Sequence, residues 1–208
     1  MPPIKKILFP VDFSPACAHV ARYVEAFAGQ FEAEIMLLHV VGPGDGELTL
    51  PEELLPLRQA KLNAFLADEL KYFSTECVCV TGDEPAPEIV AAALRWRPDL
   101  VMMPTHGLGL FRRLFFGSVA ATILRDLDCP VWTSVHSDVA IPLEDIHCRR
   151  ILCALDLTAR SQSVLVWAAA LAAEYGADLG IVHATSNDSA QANGEIENLQ
   201  KIAGTAAW

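Results

Sequence analysis

The first 137 residues alternate short apolar runs with longer stretches whose apolar residues recur every three or four positions. Runs of this length suit buried strands, and the longer stretches suit helices that bury one face. Such an alternation predicts an α/β fold, a five-stranded parallel sheet with helices on both faces and right-handed crossovers. Ligands of these sheets bind beyond the carboxyl ends of the strands, where the strand order reverses. The expected strands are Ile7–Val11, Ile35–Val41, Cys77–Thr81, Leu100–Met103 and Val131–Val135.

Several predicted helices have recognisable first residues. Ser14 followed by Pro15 supplies an N-cap and a proline at the first helical position. Pro51 opens a longer helical pattern that continues to Phe73. Pro85–Trp96 and Ser118–Leu127 complete the set of four helices.

Charge and composition exclude several classes of protein. Acidic residues outnumber basic ones by 26 to 15, a formal net charge of −11 at pH 7. Nucleic acids and anionic membrane surfaces are bound by clustered Lys and Arg, so this balance argues against both partners. The longest apolar stretch, around Val164–Ala173, is shorter than the ~18–20 residues that span a bilayer. Without a signal-peptide pattern, the six cysteines are expected to be reduced thiols, and we expect a cytoplasmic protein.

The chain contains an internal repeat. Lys6–Ser14 aligns with Arg150–Thr158 at an offset of 144, and with the same offset His39 falls on His183. Self-similarity of this kind indicates a duplicated unit. The second copy offers only a strand, a helix and a strand. We therefore expect a domain over residues 1–137, a linker over 138–149 and an incomplete second copy over 150–208.

The stretch Pro104–Val119 is the most informative for function. A strand ends, a loop containing Gly107 follows, and a helix begins at Gly117-Ser118. N–H groups at a helix start and the helix dipole favour an anion there. The alternative is that the glycines only serve turns and Ser118 only caps the helix. The residues alone do not decide between the two interpretations.

These motifs resemble the universal stress protein family. The family pattern is Gly-x-x-Gly, nine residues, then Gly-Ser or Gly-Thr, and here Gly107 and Gly117-Ser118 enclose nine residues. Val11–Ser14, after the first strand, and Leu38–Val40, in the second, also resemble the opening of the family pattern. The resemblance implies a Rossmann-like fold of the adenine nucleotide alpha hydrolase type, in tandem form with an incomplete second domain. It also implies a stress-response regulatory domain that binds ATP or AMP.

The resemblance assigns roles position by position. It places Asp12 near the ribose or a phosphate-bound Mg²⁺, and Val40 at the adenine through backbone hydrogen bonds. Met103 lines the pocket, and the helix start binds phosphate. The implied nucleotide-binding residues are Pro10, Val11, Asp12, Val40, Met103, Thr105, His106, Gly107, Gly117, Ser118 and Val119. Pro104 departs from the family pattern, because it replaces the first glycine and has no N–H to donate.

Alternative functions follow from the same residues. A site degraded by Pro104 would leave a nucleotide-free interaction scaffold, whereas Asp12 holding Mg²⁺ would permit slow ATP hydrolysis. No catalytic residues are assigned, because no general base stands beside a nucleophile in any recognised motif. His39 is interpreted as a core histidine, and Arg112-Arg113 as solvated surface. Family resemblance further implies a homodimer through the edge strand Val131–Val135.

Overall fold

A computed structural model describes residues 4–42, 51–105, 117–134 and 142–183. The chain divides between Asp145 and Ile146 into two units. Strands and helices alternate throughout the first unit, and a short 3-10 turn, Leu143–Asp145, ends it. Its elements are β1 (Lys6–Pro10), α1 (Pro15–Phe31), β2 (Glu34–Val41), α2 (Pro51–Ala64), β3 (Thr75–Thr81), α3 (Pro85–Trp96), β4 (Leu100–Pro104), α4 (Ser118–Asp126) and β5 (Val131–Ser134).

The five strands form one parallel sheet in the order β3-β2-β1-β4-β5. The predicted five-stranded parallel sheet is confirmed. Because right-handed crossovers run outward from β1 in one direction and from β4 in the other, α1 and α2 cover one face and α3 and α4 the other. A buried cluster joins the α3 and α4 side of the sheet: Leu8, Met36, Leu38, Val40, Ile89, Ala92, Ala93, Val101, Met103, Ala120 and Ile123.

The predicted start of α1 is confirmed in detail. Ser14 is the N-cap, its Oγ accepts a hydrogen bond from the Cys17 N–H at 3.3 Å, and Pro15 is the first helical residue. The helix ends at Phe31, where Glu32 adopts a left-handed conformation and closes the last turn.

The helix that begins at Pro51 is shorter than predicted. It ends at Ala64, and Leu66 takes a left-handed φ of 59° that a helix cannot contain. Leu66 and Leu70 are nonetheless buried, and the Leu70 N–H donates to the Leu66 carbonyl. The helix-like spacing of apolar residues therefore continues through non-helical turns after Ala64. The prediction that the helix extends to Phe73 is wrong.

The outer edge of β3 is partly covered by one side chain of α2. The Gln59 amide donates to the Cys77 carbonyl at 2.8 Å and accepts from the Cys79 N–H at 3.0 Å. These two bonds occupy backbone groups that an edge strand would otherwise present to another chain.

The second unit contains β6 (Arg150–Leu155), α5 (Ser161–Tyr175) and β7 (Asp178–His183). The two strands are parallel, and their buried side packs on α5 through Cys153, Leu155, Leu165 and Ala168. In the described ranges of both units, no helix has the length and apolar character needed to cross a membrane.

Candidate functional site

The site predicted from sequence lies where the strand order reverses. Successive strands are added to one side of β1 and to the other side of β4, the neighbouring central strands of the sheet. Crevices at this position, outside the carboxyl ends of the strands, are the usual ligand sites of open α/β sheets.

Two prolines end the hydrogen-bonded pairing of β1 with β4 at this position. The strands pair only through Ile7 with Leu100 and Leu8 with Val101. In that register the N–H groups of residues 10 and 104 would donate the next two ladder hydrogen bonds, and both residues are proline. The hydrogen bonds of nearby residues agree with this register. The Val11 N–H donates to the Leu38 carbonyl of β2, and the Val101 N–H donates to the carbonyl of Pro130, just before β5.

A tight turn follows β1 and fixes the Asp12 carboxylate. Asp12 Oδ1 accepts a hydrogen bond from the Ser14 N–H at 2.9 Å and one from the Cys17 thiol at 3.0 Å. Burial, with the Asp12 charge as the second cause, raises the pKa of Cys17 to about 12. The thiol is therefore a neutral donor at physiological pH.

Phe13, at the centre of this turn, has a left-handed backbone with φ of 59°. Such a conformation is strained for a bulky residue and persists only where surrounding contacts hold it. Its ring contacts His39 with centroids 4.5 Å apart, lies edge-on to Phe65 at 5.4 Å, and carries the Lys61 ammonium 4.1 Å from its centroid. The turn is thus anchored from the α2 side of the sheet.

The opposite side of the sheet supplies an apolar floor. Val40 and Met103 belong to one buried cluster, and Val119 at the start of α4 packs against it. Three of the predicted site residues from three different elements therefore lie together, on the face that α4 also occupies.

The loop between β4 and α4 is closed at its base. The Gly117 N–H donates to the Thr105 carbonyl at 2.9 Å, and the Thr105 hydroxyl donates to the Ser134 carbonyl at 3.1 Å. The N–H groups of the following residues, Ser118 and Val119, belong to the first turn and have no acceptor within the helix. The backbone donors that α4 offers thus begin at Ser118 rather than at Gly117, a distinction that the sequence did not reveal. His106, Gly107, Arg112 and Arg113 lie outside the described residues.

Metal binding at Asp12 has no support from neighbouring ligands. Within the described ranges, no three His, Cys, Asp or Glu side chains converge as a metal site. A Mg²⁺ at Asp12 would therefore take its other ligands from nucleotide phosphates and water.

The second unit repeats the turn. Asp156 Oδ1 accepts hydrogen bonds from the Thr158 N–H, the Thr158 hydroxyl and the Ser161 hydroxyl at 2.8–3.0 Å, and these bonds lower the pKa of Asp156. Leu157 has the same φ of 59° as Phe13. His183 Nδ1 lies 2.8 Å from the Leu155 carbonyl, as His39 Nδ1 lies 2.7 Å from that of Val11.

Comparison with known proteins identifies the family. The model of the universal stress protein family matches residues 3–134 and again residues 147–204. The chain belongs to the universal stress protein family. A universal stress protein of Methanocaldococcus jannaschii is 31% identical over 141 residues, which cover 61% of this chain and 79% of that protein.

Solved structures of universal stress proteins share the fold. One from Archaeoglobus fulgidus superposes with a TM-score of 0.73 and 20% identity, covering 96% of this chain and 72% of its own. Another, described as a complex with cAMP, has a TM-score of 0.50 and 20% identity, covering 63% of this chain and 96% of its own. These likenesses show the Rossmann-like α/β architecture.

Proposed function

We propose that the first unit binds an adenine nucleotide, AMP or ATP, in the crevice between β1 and β4, as a stress-response regulatory domain. The observation that carries the proposal is the early end of the β1–β4 hydrogen-bond ladder at the switch point, where Pro10 and Pro104 have no N–H to continue it. A universal stress protein of the same fold is described as a cAMP complex, which supports a nucleotide as the ligand class.

The residues around the crevice divide between the parts of a nucleotide. Val40 and Met103 offer an apolar floor, with the Val40 backbone at the carboxyl end of β2 for the adenine edge. Pro10, Val11 and Asp12 form the wall nearest the ribose. Thr105, His106 and Gly107 would form the ribose–phosphate loop on the other side.

Phosphate would bind at the start of α4. The first turn of this nine-residue helix contains no acidic residue, and its N–H groups and dipole favour an anion. Gly117 ties the loop through Thr105, so Ser118 and Val119 would donate to phosphate, the former also through its hydroxyl.

Pro104 does not argue for a degraded site. The Val101 N–H points toward β5, and backbone N–H groups alternate in direction along a strand. An N–H at position 104 would therefore point toward β1 within the sheet and not toward a ligand. The alternative of a nucleotide-free scaffold was suggested by Pro104 alone, and Pro104 no longer supports it. Slow ATP hydrolysis remains the second candidate, with Asp12 as a Mg²⁺ ligand completed by phosphates.

Ser118→Asp tests the site with opposite effects on binding and stability. A carboxylate at the first helical position repels phosphate but interacts favourably with the helix dipole. We expect the AMP affinity, measured by equilibrium dialysis, to fall about tenfold or more while the thermal midpoint stays equal or rises. Gln162→Glu, in the first turn of α5, is the matched control and should leave binding unchanged. Unaltered AMP affinity in Ser118→Asp would contradict phosphate binding at α4.

We also propose that residues 150–208 are a second copy of the same unit and bind no nucleotide of their own. The recurring His183–Leu155 bond, the left-handed Leu157 and the second match to the family model support the duplication. One nucleotide per chain is the expected stoichiometry.

Assembly completes the proposal. β5 is the outermost strand on its side of the described sheet, and we expect a homodimer through Val131–Val135. Trp132 packs on Tyr23 and Phe27 of α1, with centroids 4.8 and 6.3 Å apart, which holds this strand against the unit from one side.

A further inference from the structure

We propose that His39 is a positioning residue for the nucleotide site, which it supports from the opposite face of the sheet. The inference rests on the proposed function for its consequence, nucleotide affinity, but its structural part can be tested without a nucleotide. His39 does not touch the crevice. Val40 and Leu38 alternate with it along β2 and face the α3 and α4 side, so the imidazole faces α2.

Two contacts connect His39 to the Asp12 turn. Nδ1 lies 2.7 Å from the Val11 carbonyl, which can only accept, so this nitrogen carries the proton and donates. The ring also backs Phe13 at 4.5 Å. One buried side chain, 5% exposed, therefore holds both the residue before Asp12 and the residue after it.

The turn needs this support because the backbone of Phe13 is strained. The left-handed φ of Phe13 costs about 1 kcal/mol or more in conformational strain, as it does for any residue with a Cβ. Without the contact to His39 the turn could relax, and Asp12 would no longer be presented beside the crevice. The Ser14 N–H and Cys17 thiol bonds to Asp12 depend on the same geometry.

The second unit provides a matched control. His183 makes the corresponding bond to the Leu155 carbonyl beside Asp156, in a unit for which no nucleotide site is proposed. His183→Leu therefore removes the same hydrogen bond without touching the crevice. His39→Leu removes it at the site, and His39→Asn keeps an N–H near the position of Nδ1.

Amide hydrogen exchange tests the positioning of the turn in the nucleotide-free protein. The Ser14 N–H, bonded to Asp12, should exchange about tenfold faster in His39→Leu, as expected when a buried carbonyl loses its donor. The Ala33 N–H, which donates to the Ala28 carbonyl at the C-terminal end of α1, serves as the internal reference, and its exchange rate should change little. Equal acceleration at both amides would mean general destabilisation and would overturn the proposal, as would no change at Ser14.

AMP affinity, measured by calorimetry well below the thermal midpoint, tests the consequence. We expect a loss of about tenfold in His39→Leu, at least partial rescue in His39→Asn, and no change in His183→Leu. Unchanged affinity in His39→Leu, or an equal loss in His183→Leu, would contradict the positioning role. If the wild-type chain binds no AMP, the proposed function fails, while the exchange at Ser14 still decides whether His39 sets the turn.

Discussion

The thiol of Cys17 donates a hydrogen bond to the carboxylate of Asp12 across 3.0 Å, and it does so from a side chain that is 1% exposed. The bond joins the first turn of α1 to the turn after β1, so the start of the helix and the edge of the proposed nucleotide site form one structure. Burial and the neighbouring charge both oppose ionisation of this thiol.

Cys17 should make the protein less stable as the pH rises above 9. The unfolded thiol ionises near its ordinary pKa of 9.0, whereas the folded thiol keeps its proton until about 12. Between these values the unfolded state binds fewer protons, so the free energy of unfolding falls, by at most about 1.4 kcal/mol per pH unit for one group. Cys17→Ser keeps a donor to Asp12 but does not titrate. Urea unfolding at pH 8, 9 and 10 should show a shallower decline in Cys17→Ser than in the wild type, and parallel declines would contradict the burial of this thiol.

Gln59 should stabilise the edge of the sheet. Gln59→Ala removes both bonds to β3, and we expect the free energy of unfolding to fall by about 1 kcal/mol, because water replaces part of what is lost at a half-buried edge. Exchange of the Cys79 amide should accelerate in parallel. The control is Asn63→Ala, since Asn63 accepts from the same Gln59 amide but does not touch the strand. An equal loss in both variants would show that the strand bonds contribute nothing.

Pro104→Gly should change AMP affinity by less than about threefold, a free-energy difference below 1 kcal/mol. The restored N–H would turn toward β1, where Pro10 still withholds the other ladder donor. Calorimetric titration of the two proteins makes the comparison. A gain of tenfold in the glycine variant would instead identify Pro104 as the residue that impairs the site.

Thr133→Pro should convert the expected homodimer into a monomer. The Pro130 carbonyl accepts from the Val101 N–H, so by alternation the backbone groups of Val131 and Thr133 face outward from β5. Proline at position 133 removes an outward donor without taking one from the β4 ladder. Light scattering at micromolar concentration should report a dimer for the wild type and for Thr133→Val. A wild-type monomer would refute the dimer.

The sequence predicted the order of the elements because most strands are short apolar runs and the helices α1, α3 and α4 each carry an apolar stripe. The Ser14-Pro15 start of α1 followed from the same local signals. What it could not predict depends on contacts between distant elements. The end of α2 at Ala64 is such a case, since buried Leu66 and Leu70 continue the apolar spacing through non-helical turns.

The candidate site shows the same division. Asp12 and Ser118 could be named from their places after a strand and at the start of a helix, and Val40 and Met103 from the resemblance to the universal stress protein family. The left-handed Phe13 could not, because a phenylalanine carries no sequence signal for that conformation. The sequence also could not show that Pro10 and Pro104 together end the β1–β4 ladder, because this depends on the register of the two strands.

Calorimetric titration of the full chain with AMP tests nucleotide binding at the β1–β4 crevice most directly. The variants are Gly117→Val, with Asp156→Ala as the control in the second unit. Gly117 has φ of −57° and ψ of 153°, which valine adopts readily, so any loss would come from side-chain volume beside the phosphate. We expect one AMP per chain in the wild type and in Asp156→Ala, and none in Gly117→Val. Two sites per chain, or binding that survives Gly117→Val and is lost in Asp156→Ala, would contradict the account.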